Sequence, residues 1–248
     1  MIRGPHFRGC LQPQWPFRLN RQSLQADALL LAFPGFADST AAYELVRDGW
    51  AVSQTTGRPF SMKQMLYSQG LDAVGSATFV VNSLTAAWTP LTKTQPCTLS
   101  VWGLEESGAT SEIIFGTYSS AFTKRVVIQT TGGAPQMQIG SATGRIAHAT
   151  SATVNDGVFH HLCATYDGSD TAAGIKIYID AVSVALTIDS DSDPGTWTEN
   201  QLRSRVQGGS GFNKCWADAR LYKRVLSPAE VWQLYDPRTR WDLYKRAA

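Results

Sequence analysis

Two strand-like runs joined by an acidic glycine turn, and a third that passes directly into a capped helix, constrain this chain more than any other feature. The first is Phe159-His160-His161-Leu162-Cys163-Ala164-Thr165-Tyr166, turning at Asp167-Gly168, and the second is Gly174-Ile175-Lys176-Ile177-Tyr178-Ile179-Asp180. The third, Asp218-Ala219-Arg220-Leu221-Tyr222, leads through Lys223-Arg224-Val225-Leu226 to Ser227-Pro228-Ala229-Glu230-Val231-Trp232. Ile175, Ile177 and Ile179 alternate with Lys176, Tyr178 and Asp180, the period of a strand with one buried face. Leu99 and Val101 alternate in the same way with Thr98 and Ser100. At the helix, Ser227 is an N-cap, Pro228 sits where a missing N–H costs nothing, and Glu230 completes a capping box. Val231, Leu234 and Tyr235 fall on one face, and Pro237 ends the helix.

Short runs of the same kind recur at 28–33, 77–82, 98–103, 112–118, 124–129, 136–139, 145–148, 182–188 and 202–206. Ser107-Gly108, Gly132-Gly133-Ala134-Pro135, Asn155-Asp156-Gly157 and Asp167-Gly168-Ser169 break them. Many short strands, regular turns and one helix predict an all-β antiparallel sandwich or barrel. Residues 1–26 hold Pro5, Pro13 and Pro16 without periodicity and read as an extended arm. Residues 27–236 read as one domain and 237–248 as a basic, aromatic tail.

Charge divides along the same lines. Residues 1–26 carry Arg3, Arg8, Arg18 and Arg21 and no acid, and residues 237–248 carry a net of +3. The 14 basic and 19 acidic residues between them leave a body of net −5. Basic ends on an acidic body suit docking on an acidic neighbour, other proteins of an assembly or copies of itself. The basic residues are too few, and lack a binding motif, for nucleic acid. No run approaches the roughly 18 apolar residues of a membrane span, and the start lacks the apolar core of a secretory signal, so export by the general route is not expected. Cys10, Cys97, Cys163 and Cys215 show no C-x-x-C spacing, which argues against a zinc or dithiol centre. Cys97 and Cys163 lie in strand patterns and read as small buried hydrophobes.

The runs quoted at the outset resemble the laminin-G-like, concanavalin A-like jelly roll in its bacterial and viral form. That resemblance spans roughly Pro96 to Tyr235 and implies a sandwich of two antiparallel sheets, with the arm before it and one short C-terminal helix. The tail Pro237-Arg238-Thr239-Arg240-Trp241-Asp242-Leu243-Tyr244 is similar to the end of such proteins often encoded by phages. The chain departs from the family pattern at two places. Asp180-Ala181 stands where the family has an Asp-Gly hairpin, and Cys215-Trp216 replaces a glycine before the closing strand.

Catalytic patterns are largely missing. No glutamate is followed two positions later by aspartate, so the same-face carboxylates of a retaining glucanase strand are lacking, and Glu105-Glu106 are adjacent and face opposite ways. There is no H-E-x-x-H, no P-loop and no G-x-S-x-G. His160 and His161 are strand neighbours pointing to opposite faces, which favours packing over a catalytic pair. The candidate metal site is Asp189, Asp191 and Asp193, alternating as in a calcium loop. Pro194 replaces that loop's glycine and Asn200 its final glutamate, so a solvated acidic turn competes with a weak Ca²⁺ site. Trp197, Trp216, Tyr118 and Tyr222 are candidates for a sugar-stacking rim, whereas Trp102 and Trp232 sit in patterns that suggest core.

These readings converge on a non-enzymatic structural protein of a phage-like virion surface, a capsid decoration (cement) or surface-fibre component. It would dock through Arg3, Arg8, Trp15, Phe17, Arg18, Arg21, Arg238, Arg240 and Trp241, and its jelly roll would adhere to host glycans. The alternative is a carbohydrate-binding module of a bacterial surface or secreted protein.

Overall fold

A computed structural model describes residues 17–33, 41–44, 49–52, 61–64, 69–74, 78–80, 91–104, 111–118, 125–140, 144–195, 203–207 and 213–246. Two short ribbons pair β1 (Phe17–Leu19) with β19 (Tyr244–Arg246), and β3 (Ala41–Glu44) with β4 (Gly49–Val52). The larger sheet contains β2 (Leu29–Phe33), β5 (Ser61–Gln64), β6 (Gln69–Val74), β8 (Cys97–Leu104), β13 (Phe159–Tyr166), β14 (Ile175–Ile179), β15 (Val182–Ser183) and β18 (Asn213–Tyr222). Its order is β15-β14-β13-β8-β18-β6-β5, with β2 also on β18. The second sheet contains β7 (Thr78–Val80), β9 (Ser111–Tyr118), β10 (Arg125–Thr131), β11 (Ala134–Ile139), β12 (Arg145–Ala149), β16 (Leu186–Asp191) and β17 (Arg203–Gln207). They run in the order β16-β12-β11-β10-β9-β17-β7. Pairings in both sheets are antiparallel, and the architecture is the jelly-roll sandwich expected from the sequence.

The main core lies between the sheets. Leu99, Val101, Leu162, Ala164, Ile177 and Leu221 of one sheet meet Phe115, Val126, Ile128, Met137 and Ile139 of the other, all essentially excluded from solvent. Each large apolar side chain so buried contributes about 1.5–3 kcal/mol. The acidic turn of the central motif behaves as its sequence requires. Gly168 holds φ +82°, and a Cβ there would lie 2.6 Å from the Thr94 carbonyl oxygen, so only glycine fits.

A second layer explains where alternation misleads. Thr98 and Ser100, expected to face water opposite Leu99 and Val101, are buried. The outer face of the larger sheet is covered by helix α1 (Pro228–Tyr235), by the 3₁₀ turn Leu24–Ala26 and by the closing segment of the chain. Cys163, Tyr178 and Tyr222 pack there against Leu19, Leu226, Val231, Leu234, Leu243 and Tyr244. Helix α1 has the predicted capping box, with Ser227 and Glu230 exchanging bonds, and Val231 and Leu234 fill its buried face. Trp232, expected in the core, is 49% exposed because it points away from that face.

Segments expected to form an arm and a tail contribute to this layer. The described parts of both ends, 17–26 and 237–246, are built into the second core and into each other. Phe17 pairs with Arg246, Arg18 with Lys245 and Leu19 with Tyr244. Gln25 reaches the Thr239 carbonyl at 2.7 Å, and Thr239 caps the Gln233 carbonyl at 2.9 Å. Apolar Leu19, Leu243 and Tyr244 have a sheet face to cover, so these segments fold onto it. Strands β3 to β6 were not expected at all. The run read as one strand over 182–188 divides between β15 and β16, which belong to different sheets.

Candidate functional site

The outward face of the smaller sheet carries a polar row across four adjacent strands. Ile128, Met137 and Ile139 face the core, so Gln129 and Gln136 face outward. The amide of Gln129 donates to Gln136, whose own amide donates to the Asp189 carboxylate at 2.9 Å. His148 meets that carboxylate through Nδ1 at 2.8 Å. One residue each from β10, β11, β12 and β16 thus makes a continuous hydrogen-bonded line. Gln129 and Gln136 are buried, whereas the side chains of His148 and Asp189 are 29% and 34% exposed. The line surfaces at the β12–β16 edge, where the inner amides fix the outer pair. Sequence reasoning named only Asp189 of this group. The amides were legible as polar positions alternating with Ile128, Met137 and Ile139, but their alignment depends on register.

Further along the same sheet, register sets Tyr118 directly opposite both Arg125 and Arg203, and Gly116 opposite Val127 and Arg205. Directly opposed residues share a face. Tyr118 is therefore the rim candidate that lies in a strand of the sheet carrying the polar row. Trp216 lies in β18 of the other sheet, paired with Gly103 and Leu71. Tyr222 is fully buried against the second layer, which removes it from any rim. Trp197 lies outside the described residues.

Each carboxylate of the acidic run has partners within the chain. Asp189 serves the polar row; Asp191 accepts from the Ala172 amide at 2.6 Å and lies 3.4 Å from Arg145; Asp193 pairs with Lys93 at 2.5 Å. Lys93 holds the Asp193 carboxyl below its ordinary range, and Asp193 in turn raises the lysine. The three carboxylates diverge: Asp189 and Asp191 lie on β16 and Asp193 beyond its end, each held by different neighbours. Among the described residues no group of three or more His, Cys, Asp or Glu is placed to hold a metal ion. The run stitches β12 and β16 to the turn before β14, with Asp170 bridging Lys93 and Arg145 at 3.3 Å each.

His160 and His161 face opposite ways, as their strand positions require. His161 is fully buried, bonded to Ser100 at 2.9 Å and lying against Trp102 and Tyr235, and burial pushes its pKa down to about 3. His160 sits between Asp180, at 2.8 Å, and Asp156, at 3.2 Å, and the bond to Asp180 raises it. Burial lifts the Cys97 thiol to about 12 and raises that of Cys163, so neither is a nucleophile near neutral pH.

The residues expected to dock on partners are partly used within the chain. Arg238 pairs with Asp236 at 2.7 Å, and Arg240 is buried between Trp102 and Trp241, 4.7 and 4.3 Å from their ring centroids. Arg18 and Arg21 are exposed. Arg3, Arg8 and Trp15 lie outside the described residues, as does the side chain of Phe17.

No curated protein matches the sequence. Among solved structures, the binding domain of Paraclostridial Mosquitocidal Protein 1 is similar with a TM-score of 0.63 at 11% identity, over 87% of this chain and 53% of that one. The receptor binding domain of botulinum neurotoxin D gives 0.61 at 11% identity, over 86% and 53%. Trypanosoma rangeli sialidase gives 0.57 at 12% identity, over 91% and 36%. The chain thus spans about a third to a half of these proteins, and identities this low bear on the fold. No helix among the described residues is long and apolar enough to cross a membrane. The sequence pattern of one family matches residues 78–232, from β7 into α1, and with the sandwich just described it places the chain in the concanavalin A-like lectin/glucanases superfamily.

Proposed function

We propose that this chain is a non-enzymatic glycan-binding module that reads sugar hydroxyls at the β12–β16 edge of its smaller sheet. The observation that carries this reading is the row from Gln129 through Gln136 to Asp189 and His148. Amides, a carboxylate and an imidazole offer paired donors and acceptors in fixed planes, the equipment that distinguishes one hydroxyl arrangement from another. Because the buried amides orient the exposed pair, little ordering remains when ligand arrives. The superfamily includes lectins, and two of the similar structures are binding domains of toxins, which supports the reading. Binding is favoured over glycosidic cleavage because the row contains one carboxylate, Asp189, where cleavage ordinarily uses a pair. The test is a glycan array with the wild-type chain and His148→Ala. We expect a selective signal that falls about tenfold in the variant, whose fold is intact by circular dichroism. A silent array rejects the reading.

A second reading places the same module on a phage-like particle through its basic ends. The β1–β19 pairing favours it, since Arg18 opposite Lys245 concentrates positive charge from both ends in one ribbon. Charge reversal at Arg18 and Lys245 should then abolish incorporation into particles without unfolding the chain. Unchanged incorporation removes this reading.

A further inference from the structure

On the opposite side of the sandwich, the two ends of the described chain enclose a groove of about 570 Å³. It lies between the 3₁₀ turn Leu24–Ala26, the last turn of α1 and the closing segment 239–244. That volume falls within the roughly 300–1,000 Å³ range of small-molecule sites. Its walls are tied together before any ligand arrives. The Asn20 side-chain amide donates to the Asp242 carbonyl at 3.0 Å, and the Asn20 backbone N–H to the Leu243 carbonyl at 2.7 Å. Across the floor, Gln25 and Thr239 make the bonds described above.

The lining is chemically mixed in a particular way. Trp241 supplies ring surface, backed by the buried Tyr244 ring with centroids 5.7 Å apart, and exposed Leu24 forms the lip. Gln233 and Asp242 contribute planar polar groups, an amide and an exposed carboxylate. The Arg240 guanidinium occupies one face of Trp241, 4.3 Å from the ring centroid, so a ligand meets the rest of that indole. The described lining includes a carboxylate and no lysine or arginine, which disfavours an anion. Ring surface beside in-plane amide and carboxylate groups suits a molecule with one apolar face and a rim of hydroxyls.

We propose that this groove is a second saccharide site, taking a neutral sugar ring against Trp241 with Gln233 and Asp242 dividing its hydroxyls. It does not depend on the site at the β12–β16 edge, from which the sandwich separates it.

The experiment is a titration of the whole chain with glucose, galactose, mannose and N-acetylglucosamine, following the Trp241 indole N–H by NMR. Trp241→Phe assigns that resonance. We expect at least one sugar to shift it saturably at millimolar concentration, and Gln233→Ala and Asp242→Ala each to weaken that sugar about tenfold. Both replace groups at the groove rather than in the core, and His148→Ala should leave the titration unchanged. No shift with any of the four sugars overturns the proposal. So does a shift that survives in both groove variants, one that is lost in His148→Ala, or one produced by protein concentration alone.

Discussion

Arg220 and Asp218, two residues apart on β18, form a bidentate ion pair with both N···O distances at 2.7 Å and neither side chain reaching solvent. A bulge in the β8 pairing and a positive φ of 49° at Asp218 bring the carboxylate round to the guanidinium. Gln25 and the Arg240 carbonyl take further guanidinium protons, and the Tyr244 hydroxyl donates to Asp218. The pair thereby holds two segments distant in sequence, the turn around Gln25 and the closing segment, on one sheet face.

Asp218→Ala would strand a buried guanidinium and should cost about 3–5 kcal/mol. Replacing both partners by apolar residues of similar size should cost clearly less, because no buried charge is left unpaired. Urea midpoints of the single and double variants check this. A single-variant loss below about 1 kcal/mol would show that the pair does not hold the layer.

The two-residue turn between β14 and β15 places Asp180 at φ 52° and Ala181 at φ 63°, the conformation of a type I′ hairpin. Alanine there bears left-handed strain of about 1 kcal/mol that glycine does not. Ala181→Gly should therefore stabilise the chain by about 0.5 kcal/mol after the added entropy of the unfolded glycine. Thermal unfolding would show this as a higher midpoint, and a lower one would mean that the turn is not strained.

His160 and His161 make stability peak near the ordinary imidazole value of 6.5. His160 is raised by its carboxylates, so its contribution is full below 6.5 and is lost as pH rises through the raised value. His161 is depressed to about 3, so its contribution is full above 6.5 and declines as pH falls towards 3. The acid slope should be about 1.4 kcal/mol per pH unit. His160→Gln should flatten the alkaline limb and His161→Phe the upper part of the acid limb, between the imidazole value and the onset of carboxylate titration. Limbs unchanged by both substitutions would assign the pH dependence elsewhere.

Deleting residues 237–248 should abolish cooperative unfolding. It removes the Arg240 and Tyr244 partners of the buried pair and uncovers Cys163, Tyr178 and Tyr222. Calorimetry and binding of a hydrophobic dye report the outcome. A shortened chain that still melts in one sharp transition would support the division into an independent domain and a tail.

If the polar row binds glycans as proposed, Arg203 and Arg205, paired with Tyr118 and Gly116 in the same sheet, should bias it towards acidic ones. Arg203→Ser with Arg205→Ser should reduce binding of a carboxylated or sulfated glycan and its salt dependence together, leaving neutral glycans unaffected. Equal loss for acidic and neutral glycans would point to a change in the sheet itself.

Local chemistry made much of this legible. The Ser227–Glu230 capping box, the alternating isoleucines of β14 and the glycine of the Asp167-Gly168 turn each report their structure through nearest neighbours. The second layer was hidden for the opposite reason. Thr98, Ser100 and Tyr178 sit at positions that water would occupy in a bare sandwich, and the segments that cover them lie distant in sequence. Segments 17–26 and 237–246 have no periodicity of their own because each forms a few residues of ribbon, turn or cap. The polar row was invisible for a related reason. Gln129, Gln136, His148 and Asp189 become neighbours only when four strands are set in register, and no spacing along the chain encodes that.

The β1–β19 ribbon also sets how the molecule responds to force. With Phe17 opposite Arg246, the outermost pair of an antiparallel ribbon is the one nearest both ends of the described chain. Tension between those ends loads its hydrogen bonds one at a time, opening the ribbon like a zipper, whereas strands pulled lengthwise past each other would resist together. The layer that buries Arg220 would peel away first, and the sandwich beneath it would meet the load afterwards.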